Sequence, residues 1–227
     1  MLSPLGKTKT FLGLLPLIAV LGGTPQGGTP RHILQIRVSQ ETSPGAGDFD
    51  NNVLGFVKAL QSDSGAADFY KYGLAGPNYG NSVPRITALA SHLFFVNASD
   101  GLALFVVHNT SNRAETSVAG TAETRFELSG GSATILQADD NEEKGTIAGG
   151  TVFTTKMRWA GANTDGMVIG ALPVGFTILG QFTAPPTGLG RGWEVISADG
   201  STIPLRLVPG QRVRLDVRLD VNVKQGP

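Results

Sequence analysis

From Arg212 to Lys224 the chain alternates without a break. Arg212, Arg214, Asp216, Arg218, Asp220, Asn222 and Lys224 are polar, and Val213, Leu215, Val217, Leu219, Val221 and Val223 are apolar. A period of two places one set on each face of a β-strand, so this segment predicts a strand with a buried face and a wet face. Shorter apolar runs bounded by turn residues predict strands at Ile33–Val38, His92–Asn97, Leu102–His108, Thr124–Leu128, Thr134–Gln137, Thr151–Trp159, Met167–Leu172, Phe176–Thr183, Trp193–Ser197 and Thr202–Leu207. Asp100-Gly101 and Asp199-Gly200 carry the strong two-residue hairpin signal, because the turn needs positive φ at both central positions. Gly130-Gly131 reads as a hairpin between Thr124–Leu128 and Thr134–Gln137, and Pro209-Gly210 turns the chain into the last strand. Val53, Leu54, Phe56, Val57 and Leu60 follow helical spacing behind Asp50 and Asn51, which predicts one short helix near 51–60. The expectation is an all-β fold: an antiparallel β-sandwich or a jelly-roll-like fold of about ten strands.

The first 22 residues follow a different rule. Lys7 and Lys9 precede the apolar run Phe11–Leu21, which contains Pro16 and exits into Gly22 and Gly23. That order matches the basic, apolar and small-residue regions of a secretory signal. The run is too short to span a bilayer, which takes about 20 residues. Residues 23–31 read as a disordered lead-in, and 32–227 as a single β-sandwich domain. The expected setting is secreted, periplasmic or cell-surface, in a bacterium, with no membrane span in the mature chain.

Composition narrows the chemistry. Charged residues make up only 16% of the chain, with 18 basic and 18 acidic side chains. A neutral chain without a basic run is a poor partner for nucleic acid. Removal of the leader would leave 16 basic and 18 acidic residues, so charge would not draw the protein to an anionic membrane. There is no cysteine, which excludes disulfides, thiolate catalysis and iron–sulfur or zinc-thiolate sites. The 31 glycines fit a chain with many tight turns.

No hydrolase, zinc-protease or nucleotide-loop motif is present. Gly188-Leu-Gly-Arg-Gly192 imitates a dinucleotide loop but leads into a strand rather than a helix. His92 and His108 flank one hairpin, yet without paired-histidine spacing they read as sheet-margin residues rather than ligands. Asp139, Asp140, Asn141 and Glu142 form an oxygen-rich run between two strands, a composition suited to Ca²⁺, which takes six to eight hard oxygen ligands. The competing reading is a solvated acidic turn. Asp48–Asn52 is a second run of the same kind. Tyr70, Tyr72 and Tyr79 are the chain's three tyrosines, and all lie in the Gly/Asn-rich stretch 61–84. Tyrosine there suits a glycan or a protein surface, or else staples a long loop to the sandwich.

The stretch Leu93–His108, the Asp139-Asp140 loop and Thr164-Asp-Gly-Met-Val-Ile-Gly170 together resemble exported bacterial β-sandwich proteins of unknown function, over residues 90–220 or so. The resemblance implies export and a sandwich and names no activity. The acidic loop departs from that group by lacking an Asp-Asp-Pro-Gly form. The function expected from these readings is a non-catalytic surface or binding module, stabilised by calcium and recognising a glycan or surface protein. The alternatives are a glycan-acting hydrolase with paired carboxylates and a subunit of a surface assembly.

Overall fold

The computed structural model describes residues 33–70, 86–109, 118–143, 149–161 and 163–220. The signal segment and lead-in, Tyr72, Tyr79 and the end of the last strand's alternation lie outside these residues. The fold is all-β, with thirteen strands in two sheets among the described residues. In chain order they are β1 (Ile33–Gln40), β2 (Val53–Lys58), β3 (Leu60–Gln61), the helix α1 (Ala66–Tyr70), β4 (Ala90–Ala98), β5 (Gly101–His108), β6 (Gly120–Ser129), β7 (Thr134–Ala138), β8 (Val152–Trp159), β9 (Asp165–Gly170), β10 (Thr177–Phe182), β11 (Gly192–Ile196), β12 (Thr202–Leu205) and β13 (Val213–Asp220). Sheet I runs β2-β1-β13-β10-β6-β8, and sheet II runs β12-β11-β4-β5-β9-β7, with β3 beside β4.

The alternation of β13 places it at the heart of sheet I. Val213, Leu215 and Val217 are buried in the core between the sheets, against Ile36, Val38, Phe126, Ile178 and the inward side chains of sheet II. Their polar neighbours point the other way, as period two demands. Asp216 is nevertheless covered. Arg37 donates to it from Nε at 3.0 Å and Nη2 at 2.6 Å, Thr177 Oγ1 donates at 2.8 Å, and Arg214 Nε stands 3.0 Å away. The expected solvent-facing position is thus the acceptor at the centre of an ion network, because two arginines lie over it.

Both Asp-Gly hairpins form, joining β4 to β5 and β11 to β12 antiparallel. Three expectations change. The helix near 51–60 is absent: a 3₁₀ turn at Phe49–Asn51 leads into β2, and the short helix lies later, at Ala66–Tyr70. A run this short gains little from helical hydrogen bonds, whereas β1 offers it a full ladder from Gln35–Lys58 to Ser39–Val53. Gly130-Gly131 is not a hairpin turn, because β6 belongs to sheet I and β7 to sheet II, so the two glycines carry the chain between layers. Pairing is not wholly antiparallel either, since β11 and β3 both run parallel to β4.

Sheet II is buried on both faces. Leu93, Phe95, Leu104, Val106, Met167 and Ile169 face sheet I, while Phe94, Val96, Phe105, Val107 and Val168 face a second apolar layer built by Ala66, Phe69 and Tyr70. Phe105 is the hub of that layer, stacked on Phe94 with centroids 4.9 Å apart and met edge-on by Phe69 at 5.6 Å. Gly166 makes room for Tyr70: a Cβ there would lie 2.4 Å from the Val106 carbonyl oxygen and 2.6 Å from the Tyr70 hydroxyl.

Candidate functional site

Tyr70 is fully buried on the outer side of sheet II, so of the three tyrosines this one serves as a staple. The acidic run divides. Glu142 and Asp140 are exposed, while the half-buried Asp139 follows β7, its N–H donating to the Gly166 carbonyl at 3.0 Å. The side chain of Asn141 lies outside the described residues. Among the described residues no three His, Asp or Glu side chains are arranged to hold a metal ion. The Asp48–Asn52 run is committed locally. Asp48 accepts from the Thr42 N–H and hydroxyl, and Asp50 pairs with Arg37 and Arg214.

A different acidic corner forms instead. A 3₁₀ turn at Asn141–Glu143 brings Glu143 inward, where its Oε1 accepts from the Arg158 N–H of β8 at 2.8 Å. Its carboxyl also meets that of Asp165, the first residue of β9. Burial first, then the charges of Glu143 and Asp139, push Asp165 up to about 9. Burial likewise raises Glu143, opposed by the Arg158 N–H and by Asp165, with Asp140 and Asp139 adding to the rise. With both carboxyls ionised they repel, and only the Gly166 N–H favours the charge on Asp165. A proton on Asp165 supplies the missing hydrogen bond to Glu143.

Register extends this corner into a polar row. Trp193 pairs with Ser91 across β11 and β4, Ser91 with His108 across β4 and β5, and His108 with Asp165 across β5 and β9. Paired residues share a face, here the one turned toward sheet I. None of the four is more than 3% exposed. Among the described residues, Trp193 Nε1, Ser91 Oγ and both ring nitrogens of His108 have no hydrogen-bond partner. Sheet I covers the row with aromatic rings: Trp159 stacks on His108 at 5.7 Å, and Phe182 lies 6.1 Å from His108 and 5.0 Å from Trp193. Gly120 admits Trp159, since a Cβ there would come within 2.2 Å of its ring. Burial, aided by the nearby His92, lowers His108 to about 3, so its imidazole is neutral.

Ser91, His108 and Asp165 name the members of a nucleophilic triad, but none hydrogen-bonds the next and a substrate cannot reach them. The Glu143–Asp165 pair does not meet the requirement for glycoside hydrolysis either. Those carboxylates flank a sugar from roughly 5–9.5 Å apart, whereas these touch and are buried. His92 and His108, neighbours on one hairpin, sit out of register: His92 pairs with Val107, so the two rings lie on opposite faces of sheet II.

The exposed apolar surface lies elsewhere. β2 is the outermost strand of sheet I, and Val53, Leu54 and Phe56 are 42%, 38% and 56% exposed. At its end the Lys58 N–H donates to Ser197 Oγ and the Lys58 carbonyl accepts from Ala198 N–H, which closes the ladder there. Phe56 shares the parity of Lys58, so its backbone groups point to the same open side, and beyond it the strand bulges, with Leu54 the extra residue between the pairs Val38–Gly55 and Ser39–Val53.

Among the described residues no helix is long and apolar enough to cross a membrane. Comparison of the chain with protein-family models, with curated proteins and with solved structures finds no match, so the candidate surfaces stand on their own geometry.

Proposed function

We propose that this chain is an exported, non-catalytic binding module whose partner is an extended protein segment added to sheet I along β2. The observation that carries this is the exposed apolar edge strand. Monomeric proteins shield such edges with charge, proline or a covering loop, because an open ladder recruits strands. Here three apolar side chains flank an open stretch of backbone, and the only charge on the strand is Lys58 at its closed end. Strand addition takes affinity from main-chain hydrogen bonds and specificity from alternate side chains. The matching segment is apolar at alternate positions, to cover Leu54 and Phe56, with an acidic residue opposite Lys58.

The test uses a labelled eight-residue peptide alternating Val and Thr with one terminal Glu. Fluorescence anisotropy should show saturable binding to the wild-type chain and at least tenfold weaker binding to Leu54→Lys/Phe56→Lys. Equal binding by the two proteins would sink the proposal. Sedimentation runs beside it: a dimer that the double variant abolishes would make the occupant a second copy and overturn the assignment to a foreign segment.

A further inference from the structure

The polar row and the acidic corner meet at the seam between β8 of sheet I and β9 of sheet II. Glu143 spans that seam, with one carboxylate oxygen on the Arg158 N–H and its carboxyl against Asp165. Behind Asp165, His108 occupies the directly paired position on β5, fully buried and without a partner for either nitrogen. Polar atoms this deep normally find a partner, because an orphan loses its hydrogen bonds to water and gains none.

We propose that Glu143, Asp165 and His108 form a proton-operated latch between the two sheets: with one proton held in the cluster Glu143 ties β8 to β9, and when that proton leaves the seam opens. This is independent of any partner at β2. The groups facing the cluster define its charge. Asp139 and Asp140 lie beside Glu143 and Asp165, and Arg158 contributes its backbone N–H while its side chain is exposed. From β4, His92 opposes a charge on His108, and its Nε2 lies 3.3 Å from Glu194 of β11. Ser91, Trp159 and Phe182 are uncharged.

The proton count follows. An unfolded Asp titrates near 4 and an unfolded His near 6.5. Folding raises Asp165 to about 9 and lowers His108 to about 3. Between about pH 4 and 6.5 the unfolded chain therefore carries its proton on the histidine and the folded chain carries it on Asp165, so these two cancel and the raised Glu143 alone tilts stability, downward as pH rises. Between about 6.5 and 9 the folded chain holds one proton more, and stability falls as pH rises. Below about 4 the folded chain holds one fewer, and stability falls with acid. The count is the same whether the proton sits on Asp165 or on His108, since coupled groups titrate as a set.

The experiment is denaturant unfolding of the full chain from pH 4 to 9.5, with amide hydrogen exchange at Arg158 as the local readout. In wild type the unfolding constant should rise about tenfold per pH unit between 7 and 9, and Arg158 exchange should accelerate beyond its intrinsic pH dependence. Asp165→Asn should flatten that alkaline limb and bring the onset of the fall in acid up from about pH 4 to about 6.5. His108→Gln should keep the alkaline limb and extend its slope down toward pH 4. If Asp165→Asn does not fold, Glu143→Gln serves instead, and should move the alkaline limb to lower pH and loosen Arg158 at every pH. An alkaline slope that persists in Asp165→Asn, or a flat wild-type profile from 7 to 9, overturns the proposal. So does a melting temperature that climbs with millimolar CaCl₂ at pH 9 in wild type but not in Asp165→Asn, which would assign the carboxylates to an ion.

Discussion

Sheet I and sheet II share one core, yet their outer faces differ. Sheet I turns outward a lattice of charges and hydroxyls, including Arg37, Asp216, Thr177, Arg125 and Lys156. Sheet II turns outward Phe94, Phe105 and Val107, under a second apolar layer that includes α1. On sheet I the apolar side chains of one parity are buried and the other parity carries polar groups, whereas on the central strands of sheet II both parities are apolar and buried. The same strand geometry therefore gives two different maps of tolerance to substitution.

The largest effect should come where that contrast is sharpest. Phe105→Ala should cost about 3–5 kcal/mol in denaturant unfolding, like an inward core residue, although it points away from the core between the sheets. On sheet I, Leu215→Ala should cost about 2–5 kcal/mol, while Gln181→Ala on a polar outward position should stay within about 0.5 kcal/mol. If Phe105→Ala and Gln181→Ala melt alike, the two sheets are not different. Next comes Gly166→Val. It forces a side chain against the Val106 carbonyl and the Tyr70 hydroxyl, and should cost about 1–3 kcal/mol with a matching change in near-ultraviolet tyrosine circular dichroism.

Smaller still is Asp216→Ala, which strips the acceptor from Arg37 and Thr177. A loss of about 1–3 kcal/mol that shrinks in high salt would mark the sheet I surface as an ion network and not mere solvation. Smallest is Lys156→Ala. Its 2.8 Å pair with Glu123 is exposed, so the melting temperature should move by an amount equivalent to about 0.5 kcal/mol or less.

The same contrast explains what the amino-acid order revealed. The β13 alternation and the Asp-Gly turns speak of local geometry, and from them the central strand of sheet I and two hairpins of sheet II were legible. The continuous runs Leu93–Val96 and Leu102–Val107 carry the signature of strands covered on both faces, a signal distinct from alternation. Helical spacing in 53–60 misled because a run with several apolar residues fits both periods, and the neighbour that settles the choice, β1, is defined only by the fold. The polar row was not legible. Ser91, His108 and Asp165 each sit at a strand end, far apart in the chain, and only the register of three strands sets them side by side. The acidic run Asp139–Glu142 was read as oxygen ligands for Ca²⁺, whereas the carboxyl that turns inward is that of Glu143, the next residue, toward Asp165.

The pairing of β1 with β13 has a kinetic consequence. Ile33 lies opposite Asp220, so the first described strand cannot complete its ladder until the last one is present. β13 also supplies a neighbour to β10, which means sheet I stays divided in any chain that stops short of it. Folding must close a loop of nearly the whole domain, which places the chain among slow folders, on the order of milliseconds to seconds. Until that strand arrives, the growing polypeptide holds an open sheet I, with β1 and β10 each lacking the neighbour that completes its ladder.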